Sequence, residues 1–130
     1  MTSVNKKTVV FTKAKNVKSV TVPASIKING EVYKVTEIGA KAFKGKKIRS
    51  VTIGKNVKKI KAKAFDGSKV TTVTLKTKLL KKAGVKGSLK RSAVKTVKVK
   101  VGSKSQNKTF ITKYKKIFTK ANAGKKVTVK

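Results

Sequence analysis

A short pattern of β-branched residues returns along this chain at a nearly fixed interval. Three-residue segments in which aliphatic residues flank a Thr or Lys begin at Val20, Val51, Val73, Val97 and Val127. The interval is 22 residues between the second and third segments and 24 between the third and fourth. A period of this length is typical of solenoids, in which each repeat is one turn of chain that cannot bury its apolar face alone. The repeat therefore predicts stacked turns built from short strands.

A second pattern lies between these strands and has the same 22-residue offset. Its first copy contains Val35, Ile38, Ala42, Phe43, Gly45 and Ile48, and its second contains Val57, Ile60, Ala64, Phe65, Gly67 and Val70. A degenerate third copy has Leu89, Arg91, Ser92 and Val94 in place of Phe65, Gly67, Ser68 and Val70. Because the Ala-Phe pairs are equally spaced, we expect them to be core residues that stack on their equivalents in the next turn, and not an aromatic platform for a ligand.

Both ends of the repeat region carry signals of their own. Residues 26–35 predict a β-hairpin, because Asn29-Gly30 readily adopts the positive φ angles of a type I′ turn, and this insertion accounts for the 31-residue gap between Val20 and Val51. Apolar residues after position 109 predict an amphipathic helix that stops near Gly124 and covers the last turn. These residues are Phe110, Ile111, Tyr114, Ile117, Phe118 and Ala121. The alternative is a helix that lies on an anionic membrane surface.

The charge balance is extreme. The chain has 37 Lys and Arg residues against three acids, Glu31, Glu37 and Asp66, which leaves a formal net charge of +34. Exposed like charges repel each other, so we expect the fold to gain stability from added salt or from an anionic partner. Only Arg49 and Arg91 are arginines, and lysine attracts phosphate without reading base sequence, which favours a polyanion over site-specific DNA. A solubilising coat is the alternative explanation of the lysines.

The residue types also narrow the chemistry. The chain has no cysteine and no histidine, which excludes disulfides, the usual zinc sites and histidine acid-base catalysis. A Ser-Lys nucleophile pair remains as a route to covalent catalysis, but with so many lysines such proximity arises by chance. We therefore expect no enzyme, no cofactor and no metal. No run of 18 apolar residues is present, so no transmembrane segment is expected.

Three stretches of the sequence resemble the BspA-type leucine-rich repeats of surface and secreted proteins from anaerobic bacteria, and the likeness is to clostridial members. They are residues 20–30, 33–45 and 51–60, and with the helix and the final strand the resemblance covers most of residues 17–130. The chain departs from the family pattern in three places. No cysteine follows Gly45 or Gly67, Lys61 stands where the preceding copy has Gly39, and the third copy lacks Ala-Phe.

The resemblance implies a right-handed leucine-rich-repeat solenoid of about 22 residues per turn, with an N-terminal β-hairpin cap and a C-terminal amphipathic helix plus strand. We expect one domain over residues 1–130, with a cap and hairpin in 1–34, repeats in 35–99 and a C-terminal cap in 100–130. The resemblance also implies a non-enzymatic module for binding, adhesion or spacing, at the cell surface or outside the cell, as part of a longer secreted chain.

The expected partner is an anionic macromolecule: a cell-wall polymer, a glycan, an acidic protein or nucleic acid. We predict that a monomer binds it through outward strand residues, which are Thr52, Lys55, Thr74, Lys76, Lys98 and Lys100. The alternative is an intracellular or phage-borne protein that grips nucleic acid or blocks an acidic protein groove.

Overall fold

The structure is a computed structural model, and it describes residues 2–4, 8–15, 17–44 and 47–130. The strands are β1 (Thr2–Val4), β2 (Thr8–Phe11), β3 (Ser19–Val22), β4 (Ser25–Ile28), β5 (Glu31–Ile38), β6 (Ser50–Ile53), β7 (Lys59–Ile60), β8 (Thr72–Leu75), β9 (Thr96–Val99) and β10 (Thr128–Val129). The helices are α1 (Lys104–Lys115) and α2 (Lys120–Ala123), and a 3₁₀ turn spans Ala83–Val85. The chain winds through these elements as a solenoid of about four turns.

One strand of each turn contributes to a five-stranded parallel sheet, the front sheet, with the order β3-β6-β8-β9-β10. The pairing aligns Val51 with Val73 and Val73 with Val97, as the repeat predicts. Valine at this place is buried in each strand, because alternate residues of a strand face the same side. The predicted stacking is therefore confirmed for the first four segments. The fifth was placed wrongly by two residues, because Val129 and not Val127 pairs with Val97.

The opposite wall of the solenoid is a second sheet, the back sheet, which contains β2, β5 and β7 as parallel neighbours. The predicted hairpin joins β4 to β5, and Asn29 and Gly30 at its tip have φ angles of 51° and 81°. The sequence analysis did not place β2. Its pairing with β5 adds a turn before the first recognised copy, with Val9 and Phe11 buried.

The apolar core between the sheets is layered. The rings of Phe11, Phe43 and Phe65 form a column with centroid separations of 5.6 Å and 4.8 Å, and Leu89, in the third copy, is also buried. Each aromatic ring thus packs on the ring of the neighbouring turn. The prediction that the Ala-Phe pairs are stacked core residues is confirmed.

Backbone hydrogen bonds connect the turns at the small-aromatic pairs as well as within the sheets. The Lys41 amide donates to the Lys63 carbonyl, and the Lys63 amide donates to the Gly87 carbonyl, both at 2.9 Å. All three residues have positive φ, at 56°, 62° and 69°. This left-handed conformation is unfavourable for residues with a Cβ, so the ladder fixes a turn that local preference alone would not form.

The C-terminal apolar segment differs from the single helix that the periodicity predicts. Helix α1 begins with a capping box between Ser103 and Gln106. The helical conformation is interrupted before α2, because Thr119 has an extended backbone and caps the N-terminus of α2. This break resets the helical period, so Ala121 is exposed and Ala123 is buried instead. The placement of Ala121 on the apolar stripe was therefore wrong.

The two helices belong to the last turn of the solenoid. They lie in the segment between β9 and β10, and β10 is the end strand of the front sheet. The predicted C-terminal helix and final strand are present, and the role of residues 100–130 as a cap stays a prediction. The apolar stripe is occupied, because Tyr114, Ile117 and Phe118 are buried. With this stripe packed on the core, the membrane-surface alternative loses its physical basis.

Candidate binding surface

The outward side of the front sheet, the outer face, carries two rows of polar side chains that cross its five strands. The first row contains only hydroxyl residues: Ser19, Ser50, Thr72, Thr96 and Thr128. The second row contains Thr21, Thr52, Thr74, Lys98 and Lys130. Neighbouring strands lie about 4.8 Å apart, so the face presents hydroxyl and ammonium groups at a regular spacing.

Three of the predicted site residues come together in the second row. Thr52 pairs with Thr74, and Thr74 pairs with Lys98, across β6, β8 and β9. Both threonines are half-buried and Lys98 is exposed. The strand register therefore creates one continuous polar row from residues far apart in sequence.

The other three predicted residues follow the ends of the same strands. Lys76 donates its amide to Ile53 at 3.0 Å, and Lys100 donates to Leu75 at 2.8 Å, so these two lysines occupy equivalent places. Lys55 is displaced by one residue, since Gly54 occupies the corresponding place in its turn. A Cβ at Gly54 would lie 2.6 Å from the Val22 carbonyl oxygen, and only glycine fits so close to the backbone of the preceding turn.

The hydroxyl row is a feature that the sequence analysis missed. The Oγ atoms of Ser19 and Ser50 lie 2.9 Å apart, which is a hydrogen bond between adjacent strands. The signal was in the sequence for four of the five segments, because Ser or Thr precedes Val20, Val51, Val73 and Val97. The strand register adds Thr128.

A groove opens at the C-terminal end of the front sheet, where the last turn meets α1. It has a volume of about 500 Å³, and its walls include Lys98, Lys100, Lys104 and Lys108 around the apolar side chain of Ile111. Asn107 fixes α1 in this position, since its Oδ1 accepts hydrogen bonds from the amides of Val101 and Gly102, at 2.7 Å and 3.1 Å. With Lys130, which also lines the groove, five lysines of the C-terminal part thus converge on one concave surface.

A buried phenol anchors α1 from the other side. The Tyr114 hydroxyl donates a 2.6 Å hydrogen bond to the Thr77 carbonyl in the loop after β8. Burial raises the pKa of Tyr114 from 10.0 to about 12, and a hydrogen bond with the Leu80 backbone lowers it by less. The phenol is therefore neutral at physiological pH, and it acts as a structural tie between the helix and the third turn.

Carboxylates do little to balance the lysines. Lys61 and Glu37 form an ion pair at 3.9 Å at the end of β5, with both side chains partly solvated, and such pairs contribute little to stability. Within the described ranges, no group of three or more metal-binding side chains comes together. The positive field over the outer face is thus largely uncompensated.

A Ser-Lys pair is the route to covalent catalysis that the composition leaves open, and a buried serine is the place to look for one. Ser88 is fully buried, and its Oγ has no hydrogen-bond partner among the residues that the structure describes. A lysine that activates a serine must lie within hydrogen-bond distance of its hydroxyl. Ser88 therefore does not have the geometry of an activated nucleophile.

No helix in the described part of the chain is both long enough and apolar enough to cross a membrane.

Comparison with known proteins places the repeat in a family. A leucine-rich cell surface protein from Faecalibacterium prausnitzii, known from a crystal structure, is 26% identical, with a TM-score of 0.49 over 72% of this chain and 23% of that one. This chain thus spans about a quarter of that protein's length. A search of curated proteins gives no significant match. The family profile described as the BspA type leucine rich repeat region matches six copies over residues 7–122. The match begins ahead of β2 and includes the turn that the sequence analysis did not place. Because the match covers most of the chain, the chain belongs to the BspA-type leucine-rich repeat family.

Proposed function

We propose that this repeat module binds an anionic polymer at a bacterial cell surface, through the outer face of the front sheet and the lysines at its C-terminal end. One observation carries the proposal: both rows of the outer face consist of hydroxyl and lysine side chains only, without a carboxylate. Hydroxyl groups donate hydrogen bonds to sulfate, phosphate or carboxylate oxygens, and lysine adds a charge-assisted bond. This combination suits an anionic partner.

The spacing of the two rows supports a polymeric ligand. Parallel strands repeat the same groups about every 4.8 Å across the sheet, and a polymer with repeating charges meets several of these groups at once. Multiple weak contacts along one chain then add to a useful affinity. A cell-wall polymer or a sulfated glycan has this chemistry.

The lysines favour such a polymer over a specific nucleic acid site. Lys98 and Lys100 attract phosphate as point charges, whereas base recognition relies largely on the planar fork of arginine. The two arginines, Arg49 and Arg91, lie outside both rows of the outer face. Family membership supports an extracellular or surface location as a non-enzymatic part of a longer chain, and self-repulsion at +34 supports a monomer.

The test compares two double variants with the same change in net charge. Lys98→Gln with Lys100→Gln removes charge at the outer face, and Lys59→Gln with Lys63→Gln removes it from the back sheet and the turn that follows. Each lysine near an anionic surface contributes about 1 kcal/mol, so we expect the first pair to weaken binding of a sulfated glycan by about tenfold or more. The second pair should have a much smaller effect.

The glycan and a duplex DNA are titrated at low and at physiological ionic strength. Equal losses in the two double variants would contradict the proposal, because the charge would then act as a diffuse coat. DNA binding that persists at physiological salt while glycan binding is lost would favour the intracellular polyanion binder instead.

A further inference from the structure

Two large apolar side chains interrupt the polar surface on the flank where the hairpin meets the loop after β8. Leu79 is 42% exposed and Val32 is 54% exposed, whereas the other large apolar residues of the hairpin and of the loop after β8 are at least half buried. Both line one groove of about 490 Å³. Isolated exposed apolar residues need no explanation, but a shared concave surface is the usual feature of a binding site.

The exposure of Leu79 is enforced by buried hydrogen bonds. The Leu79 amide donates to Oγ1 of Thr77 at 3.1 Å, and the same hydroxyl donates to the Val57 carbonyl at 2.6 Å. Thr77 itself is fully buried, and its carbonyl accepts the bond from Tyr114. Leu80, the next residue, is buried in the core. The loop is thus held at both sides, and Leu79 is presented outward in a fixed backbone conformation.

The groove continues past Leu79 into a second one. This neighbour has a volume of about 350 Å³ and shares Asn56 and Leu79 with the first, and Val101 adds a further apolar surface to it. Asn56 is held in place by a 2.9 Å bond from its Nδ2 to the Ala24 carbonyl. Together the two grooves form one flank groove with apolar groups spaced along its floor.

Exposed lysines border this flank groove along its whole length. They are Lys34 and Lys58 in the first part, and Lys55, Lys76 and Lys78 in the second. Among the described residues that line the two parts, none is a carboxylate. The flank groove therefore combines an apolar floor with a positively charged rim.

We propose that the flank groove is a docking site for an acidic peptide segment that carries apolar side chains. Its carboxylates complement the five lysines, and a leucine or phenylalanine side chain removes Leu79 and Val32 from water. A polyanion without apolar groups satisfies the rim but leaves the floor exposed. This inference goes beyond the proposed polymer binding, because it needs the apolar floor formed by Leu79 and Val32, whereas the two surfaces share Lys55 and Lys76.

The test measures binding of two labelled synthetic peptides to the full chain by fluorescence anisotropy at physiological salt. One alternates Asp and Glu with Leu and Phe, and the other has Ser in place of each apolar residue. Burial of a whole leucine side chain contributes about 1.5 to 3 kcal/mol. Because only the exposed part of Leu79 is available to the peptide, Leu79→Asn should weaken binding of the apolar peptide about fivefold. Val32→Thr, nearly isosteric, should act in the same direction.

Val17→Thr is the matched control, because Val17 is 45% exposed and lies near β3, outside the flank groove. It should leave the affinity unchanged, and none of the three variants should alter binding of the serine peptide or of a sulfated glycan. Equal affinity of the parent chain for both peptides would overturn the inference. So would an unchanged affinity in both Leu79→Asn and Val32→Thr. Neither result bears on the outer face, whose own test uses Lys98 and Lys100.

Discussion

Ser88 occupies the place in its turn that alanine occupies in the two preceding turns. Ala42 and Ala64 are buried next to Phe43 and Phe65 in the same way that Ser88 is buried next to Leu89. The hydroxyl of Ser88 finds no partner among the described residues, and an unpaired buried hydroxyl costs free energy. The third turn thus has a buried hydroxyl group at the position where the two preceding turns have only the methyl group of alanine.

Replacing that hydroxyl should stabilise the protein. We expect Ser88→Ala to raise the free energy of unfolding by about 1 kcal/mol, measured by urea denaturation at fixed salt. Ser68→Ala is the control, since Ser68 is also buried but its Oγ accepts a hydrogen bond from the Val70 amide at 3.4 Å. That variant should not be stabilised. A destabilised Ser88→Ala protein would show that the hydroxyl has a partner or a role that the geometry does not reveal.

Helix α1 depends on tertiary contacts for its place in the last turn. Its capping box is local, but the hydrogen bond from Tyr114 to Thr77 joins it to a loop 37 residues earlier. The same loop presents Leu79 to solvent. The helix and the flank groove are therefore mechanically linked through one buried residue, Thr77.

Removal of the phenol hydroxyl tests this link. Tyr114→Phe leaves the buried Thr77 carbonyl without its donor, and we expect a loss of about 1 to 2 kcal/mol in unfolding free energy at neutral pH. The pKa of Tyr114 is about 12 in the folded protein against 10.0 for an unperturbed phenol. The unfolded chain therefore loses this proton first, and the parent protein loses stability relative to the variant between about pH 10 and pH 12.

The measurement is the difference in unfolding free energy between parent and variant as a function of pH. Contributions that are common to both proteins cancel in this difference. Tyr33→Phe, at a half-buried position in β5, controls for loss of a phenol hydroxyl as such. Equal stability of parent and Tyr114→Phe at neutral pH would mean that the hydroxyl does not anchor the helix.

At the scale of the whole molecule, regular spacing made much of the fold predictable. Strands that repeat at a constant offset must align if they stack, so the pairing of Val51 with Val73 and the column of Phe43 and Phe65 follow from sequence. The Asn-Gly hairpin also follows, because its turn chemistry is local. These features follow from the constant spacing between repeats or from the chemistry of a single turn.

The features that sequence did not predict arise where the repeat changes. Strand β2 lacks the glycine and the Ala-Phe pair of the later copies, so its pairing with β5 is seen only in the structure. The break before Thr119 and the displacement of Lys55 by Gly54 depend on contacts between turns. The flank groove likewise forms where the hairpin contacts a loop from another turn. A contact between segments so far apart in sequence has no local sequence signal.

The central claim is that successive turns of chain lie directly over one another with their valines in register. Methyl-labelled NMR tests this directly, because side chains on adjacent strands about 4.8 Å apart give strong nuclear Overhauser effects. The account predicts cross-peaks from the methyl groups of Val73 to those of both Val51 and Val97, and between the rings of Phe43 and Phe65. Val73 methyl groups that show contacts to neither Val51 nor Val97 would contradict it.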